Sequence, residues 1–290
     1  MRRHGSDTYG IRLQELLAVK YGIKPLLRTV LRTDDPKGVE RLCRENKLFC
    51  MVKSFNKLYG SVLNPPVKIV YISATKDLLN EAYTSDKSGD RKHLGELLGY
   101  PPCCVEFFLG VLQHFDLPFP IKTYNETNGK PSFLANNIFK MESRLRVEEL
   151  KRFQKNPDFA RRVSHLFLIS HVPCSYRCKE SIRIGREMLD MLEMEEPELA
   201  REIVSVLKKP LLFFDDLRWI IFNGKVEGNI LNYSSISPPF SLLEKEFVGM
   251  FEKGDTIRVG KEFIEIYGEG RIIHRVEKKH EYDGVLLDFS

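Results

Sequence analysis

Leu98 to Phe108 reads LGYPPCCVEFF, two prolines followed by two adjacent cysteines at the head of an apolar run. Pro102 suits the first turn of a helix, where its missing N–H costs nothing. Cys103 and Cys104 then fall where unpaired backbone N–H groups and the helix dipole favour negative charge. A thiol held there leans toward thiolate, the form that attacks electrophiles and binds metals. Cys104, Phe108, Val111 and Phe115 step by four, three and four along one apolar stripe, while Cys103 is turned about a quarter-circle away.

A matching arrangement follows in HVPCSYRCKESIRIGREML, from His171 to Leu189. Cys178, Ile182, Gly185, Leu189 and Leu192 share helical spacing, so Cys178 faces inward near a helix start. Cys174 lies four residues earlier on the same side, and His171 ends the apolar stretch before it. Two strand-to-helix junctions, each with proline and two cysteines, predict one shared site at the strand ends, where α/β sheets commonly place ligands.

Several chemistries suit this set. Zinc takes four ligands, usually thiolate and imidazole. His171, Cys174, Cys178 and one of Cys103 or Cys104 supply them. A [4Fe–4S] cluster takes four thiolates, and four are present. A Cys104–Cys178 disulfide is a third option, and a catalytic thiol, with Cys103 the candidate and His171 as its base, a fourth. Against all of these stands cysteine as a small buried residue. Zinc is placed narrowly ahead of iron–sulfur. It requires sulfurs roughly 3.5–4 Å apart, from ~2.3 Å bonds in a tetrahedron. Cys43 and Cys50 lack this context; seven residues apart on one expected helix, they read as core.

The two motifs together resemble an archaeal family catalogued as domain of unknown function 483. The likeness runs from about Arg91 to Phe108 and from His165 to Glu187, a minority of the chain. It implies that the motifs belong together, with Cys103, Cys104, His171, Cys174, Cys178 and Ser181 as the matching positions. It also implies an archaeal, cytoplasmic origin and carries no reaction.

The elements that must position these residues follow from pattern. Residues 11–32 and 36–50 read as helices, the second opened by Asp34-Asp35-Pro36. Val67–Ser73 (VKIVYIS) and His165–Ser170 (HLFLIS) read as buried strands. Residues 74–83 read as a helix, and Asp90 as the cap of a short helix through Leu98. Residues 116–132 read as a long irregular loop, functional or mobile. Residues 138–164 read as a charged helical region. After Pro210, aromatic and β-branched runs alternate with turn signals at Asn223-Gly224, Glu227-Gly228 and Asp283-Gly284. The expected fold class is α+β: a helix-rich α/β body with a small buried sheet over 1–209, carrying the Cys/His site. A mostly antiparallel β part follows over 210–290, packed with the body or apart from it.

Composition narrows the function classes. The 290 residues are 42% hydrophobic and 29% charged, enough for a sizeable core. The greasiest stretch, LLFFDDLRWIIF, is broken by Asp215, Asp216 and Arg218, so no membrane span is expected. No secretion signal is visible, and six cysteines are too few for a disulfide scaffold at this length. A soluble intracellular protein is expected. Scarce glutamine beside abundant Lys, Arg and Glu leans toward a thermophile. The net charge of +5 is too small to imply nucleic acid. RNA contact is conceivable through Lys140, Arg144, Lys151, Arg152, Arg161 and Arg162, but the acidic residues among them favour a solvated helix face. Asp215-Asp216 reads as a turn, and His114 as a surface residue on the Cys103 side of its helix. Gly129-Lys130 lacks the residues of a phosphate loop. Two readings are therefore carried: a metal-binding protein, and a thiol-dependent enzyme or redox protein using Cys103 and His171. An RNA-associated factor ranks third.

Overall fold

The computed structural model describes residues 9–31, 35–58, 61–113, 117–140, 155–156, 163–237 and 242–290; at 57–58 and 61–65 it describes the backbone alone. The architecture is mixed α+β with a β-rich C-terminal part, as expected. The chain divides into two compact units, Met1–His114 with Arg183–Arg201, and Phe115–Ile182 with Glu202–Ser290. Among the described residues no helix is long and apolar enough to cross a membrane.

The first unit is built on a three-stranded antiparallel sheet, β1 (Leu26–Val30), β2 (Phe49–Leu58) and β3 (Ser61–Ser73), in the order β1-β3-β2. Alternation along β3 sends Val70 and Ile72 to one face and Ile69 and Tyr71 to the other. The first face packs on α1 (Leu13–Lys20) and α2 (Pro36–Glu45). The second packs on α3 (Lys76–Ser88) and α4 (Arg91–Leu97). Covered on both sides, this strand reads as a continuous apolar run. Asp86 of α3 is tied to the sheet, accepting from Arg28 Nε and from Tyr71 Oη, each at 2.5 Å.

Two expected helices are shorter than their patterns suggest. The first ends at Lys20, and Gly22 at φ 72° and Pro25 introduce β1 where helix was expected to continue. The second ends at Glu45, and Lys47, at φ 59°, reverses the chain into β2. Cys43 and Cys50 therefore do not share a helix: one lies on α2 and the other on β2. Both still enter the same core cluster.

In the second unit, β4 (Leu211–Asp215), β5 (Arg218–Glu227), β6 (Ile230–Ile236), β7 (Thr256–Val259), β8 (Phe263–Gly268), β9 (Arg271–Glu277) and β10 (Val285–Leu287) form one antiparallel sheet. Its order is β10-β4-β5-β6-β7-β8-β9. Phe222, Leu231, Ile257, Ile264 and Ile266 line its inner face with Phe251 from the helix Lys245–Glu252. Asp215-Asp216 is a turn as expected: Asp215 Oδ1 accepts from Leu217 N at 2.9 Å and Oδ2 from Arg218 Nε at 2.6 Å. Asn223-Gly224 is a bulge inside β5 and not a turn. Asp283-Gly284 leads into β10, which pairs with β4 and not with β9, so it closes no hairpin.

Candidate metal centre

Each pair of cysteines is set at the head of a helix. The chain leaves α4 through Gly99, at φ 74°, with Gly99 N donating to Glu96 O and Tyr100 N to Gly95 O, the paired bonds of a Schellman ending. A Cβ on Gly99 would lie 2.6 Å from Pro25 Cδ, so glycine is required by both conformation and space. Tyr100-Pro101 then lead into α5 (Pro102–Gln113), whose first carbonyl, Pro101 O, accepts from Cys104 N and Val105 N. The first junction thus runs helix to helix, and the expected strand is absent there. Gly95 lets α5 lie close against α4, since a Cβ there would meet Val105 Cγ2 at 2.9 Å.

Cys104 is 1% exposed and Cys103 is exposed, as their phasing predicts. Their sulfurs nevertheless lie 3.9 Å apart.

The second pair is held by side chains rather than by a strand. Residues 166–169 are buried, with Leu166 and Phe167 fully enclosed, but the 165–170 segment forms no ladder among the described residues. The expected strand is an irregular buried segment. The backbone that follows it, from His171 to Tyr176, would be costly to bury without partners, and side chains and neighbouring backbone supply them. Asn137 Nδ2 donates to His171 O at 2.7 Å and Thr123 Oγ1 to Pro173 O at 3.0 Å. Tyr176 N donates to Thr127 Oγ1 at 2.9 Å, and Ser132 N to Tyr176 O at 3.0 Å. Tyr176 packs edge-on against Phe289. Cys178 then caps α7 (Lys179–Glu195), its carbonyl accepting from Ile182 N at 2.9 Å.

The stretch expected as a long irregular loop, residues 116–132, supplies all of these pins but Asn137. It contains the short helix α6 (Phe119–Asn125), on which Thr123 lies, and Thr127 just beyond it. Thr123 and Asn137 were not singled out in the sequence. Their signal is faint: uncharged polar residues beside apolar ones, in a segment with no clear period.

The Sγ atoms of Cys103, Cys104, Cys174 and Cys178 all lie within 4.8 Å of one another, a group that can hold a metal ion. No disulfide joins any two of the six cysteines, Cys104 and Cys178 included. His171 does not belong to the group. Its Nε2 lies 2.8 Å from Ser181 Oγ, and both residues are buried. The imidazole thereby clamps the first turn of α7 to the segment that carries Cys174. Ser181 sits three residues past the Cys178 cap.

The other candidates lie elsewhere. Lys140 Nζ sits 4.6 Å over the Phe167 ring. Arg144, Lys151, Arg152, Arg161 and Arg162 fall outside the described residues, as do His114 and Phe115. On the solvent face of β7–β9, Arg258, Glu265 and Arg275 stand opposite one another in register. Glu265 accepts from Arg275 Nη2 at 2.7 Å, so this face alternates in sign. Interaction with Cys50, together with burial, raises the Cys43 pKa, and interaction with Cys43 lowers that of Cys50.

Compared with protein-family models, with curated proteins and with solved structures, the chain matches none.

Proposed function

We propose that this protein binds one metal ion through the thiolates of Cys103, Cys104, Cys174 and Cys178, and that the ion is zinc. The observation that carries the reading is the separation of the sulfurs, all within 4.8 Å. A single tetrahedral zinc needs sulfurs about 3.8 Å apart, from ~2.3 Å bonds. A [4Fe–4S] cube stands between its thiolates and holds them farther apart, roughly 6 Å. The observed span is closer to the single ion, and small side-chain rotations close the difference.

Electrostatics support the same reading. Four thiolates around a divalent ion leave an excess of two negative charges. Cys103 and Cys104 stand in the first turn of α5, and Cys178 caps α7. A helix N-terminus carries roughly half a positive charge, so both starts favour the anionic set.

His171 acts in this reading as a positioning residue, held by Ser181, and not as a fourth ligand beside three cysteines. The same serine partner weakens the alternative of a Cys103 nucleophile with His171 as its base. Membership of the archaeal family that the two motifs resemble is part of the proposal, since that likeness groups the same four cysteines. A cytoplasmic setting belongs to it as well.

Metal analysis of protein purified with and without air tests the function. One zinc per chain in colourless protein is expected. A brown protein with iron and acid-labile sulfide would replace zinc with a cluster. Metal-free protein with a fast-reacting thiol would favour the enzyme.

A further inference from the structure

The four sulfurs are not equivalent. Cys104 is embedded in the core with Val105 and Val111, and its thiol has little freedom to leave. Cys174 and Cys178 are half-buried, in a segment whose backbone is fixed at Pro173, Tyr176 and His171 by the hydrogen bonds of Thr123, Thr127 and Asn137. Cys103 alone of the four is exposed. It reaches the group from the outer side of α5, as the residue adjacent to a ligand already fixed. Consecutive helical residues point about 100° apart, so its thiol converges on the Cys104 sulfur by side-chain rotation alone. Rotation in the opposite sense carries it into solvent, with no backbone change.

We propose, on the footing of the four-thiolate metal site, that Cys103 is its exchangeable ligand, and that the position it vacates accepts an external soft donor, a small thiol. Three anchored thiolates with one open position is the arrangement of metal sites that act on ligands; closed sets of four are structural. A soft donor fits because thiolate already satisfies the ion there. The exchange conserves charge and electrons. The metal–Cys103 sulfur bond breaks, a bond to the incoming sulfur forms, and the proton of the incoming thiol passes to Cys103. The ion keeps its oxidation state.

Cobalt(II)-loaded protein and alkylation of the zinc form test this together. In the intact zinc protein, iodoacetamide should modify Cys103 about tenfold faster than the other three site cysteines, following exposure. The singly modified protein should retain its metal. Cys103→Ala should weaken metal binding by about tenfold to a hundredfold, and Cys104→Ala should abolish it. Titrating 2-mercaptoethanol into cobalt-loaded Cys103→Ala should shift the visible spectrum saturably toward that of the intact protein.

Alkylation that begins at Cys174 or Cys178, or that expels the metal with the first adduct, overturns the exchange. So does a Cys103→Ala spectrum unmoved by thiol. An intact protein that holds no metal removes the site itself and the exchange with it. Alkylation is read on the unaltered chain, so a poorly folded variant does not shield the proposal.

Discussion

The sulfurs of Cys103 and Cys104 lie 3.9 Å apart, although the residues are consecutive in a helix and one is exposed where the other is buried. Helical phasing alone would part them. Their approach brings an exposed thiol onto a core-facing one, and Cys174 and Cys178 complete the group.

The buried member should matter most to stability. Cys104→Ser replaces a soft donor with a hydroxyl and buries a new polar group. Metal content should fall to near zero. A combined loss of ~3 kcal/mol lowers the melting temperature by roughly 6–12 °C for a domain of 150–250 residues. Calorimetry with metal analysis on the same sample checks both; unchanged metal content would contradict the site.

His171 separates a four-thiolate site from a mixed one. With Nε2 held by Ser181 Oγ, His171→Asn should cost about 1–3 kcal/mol through the broken buried hydrogen bond. Metal stoichiometry should stay at one. A folded His171→Asn protein without metal would make the imidazole a ligand. Ser181→Ala should lower stability in the same direction and by less.

How much of this was legible follows from particular residues. The burial of Cys104 was readable from its place on the stripe with Phe108 and Val111. The Asp90 cap was readable too, and Oδ1 accepts from His93 N at 3.0 Å. The four-cysteine grouping was readable from two matched helix starts. Residues 165–170 differ from the strand expected because a short apolar run looks the same whether it pairs in a ladder or is buried as an irregular segment with local turn bonds such as Leu166 N to Val163 O. β1 was hidden behind residues that suit either state, with Gly22 and Pro25 the punctuation that marked its start. The sequence offers His171 as a metal ligand or a catalytic base, and Ser181 only as a matching position of the family resemblance. Nothing in their spacing tells that they bond each other.

Gly99 holds the exit from α4 toward the cysteine pair. Gly99→Ala places a Cβ at φ 74° and 2.6 Å from Pro25 Cδ. The left-handed conformation alone costs about 1–2 kcal/mol for a non-glycine residue. Chemical denaturation should show at least that loss, with weaker metal retention because Cys103 follows four residues later. An unchanged midpoint would mean that the turn tolerates a side chain.

Away from the site, the Cys43–Cys50 pair should titrate unequally. Interaction between the two thiols lowers the Cys50 pKa and, with burial, raises that of Cys43. As pH rises, Cys50 ionises first, and alkylation there should begin at lower pH than at Cys43. Cys43→Val removes that partner. The Cys50 pKa then moves up, and the onset of its alkylation shifts to higher pH. Mass spectrometry of labelled peptides across a pH series reads both; a Cys50 profile unmoved by Cys43→Val would contradict the interaction between the two thiols.

X-ray absorption at the edge of the bound metal tests the central claim most directly, because it counts sulfurs around the ion in the unaltered protein. The four-thiolate reading predicts one shell of about four sulfurs at ~2.3 Å, with no second metal nearby. A shell containing an imidazole nitrogen in place of one sulfur, or a short iron–iron vector, would contradict it.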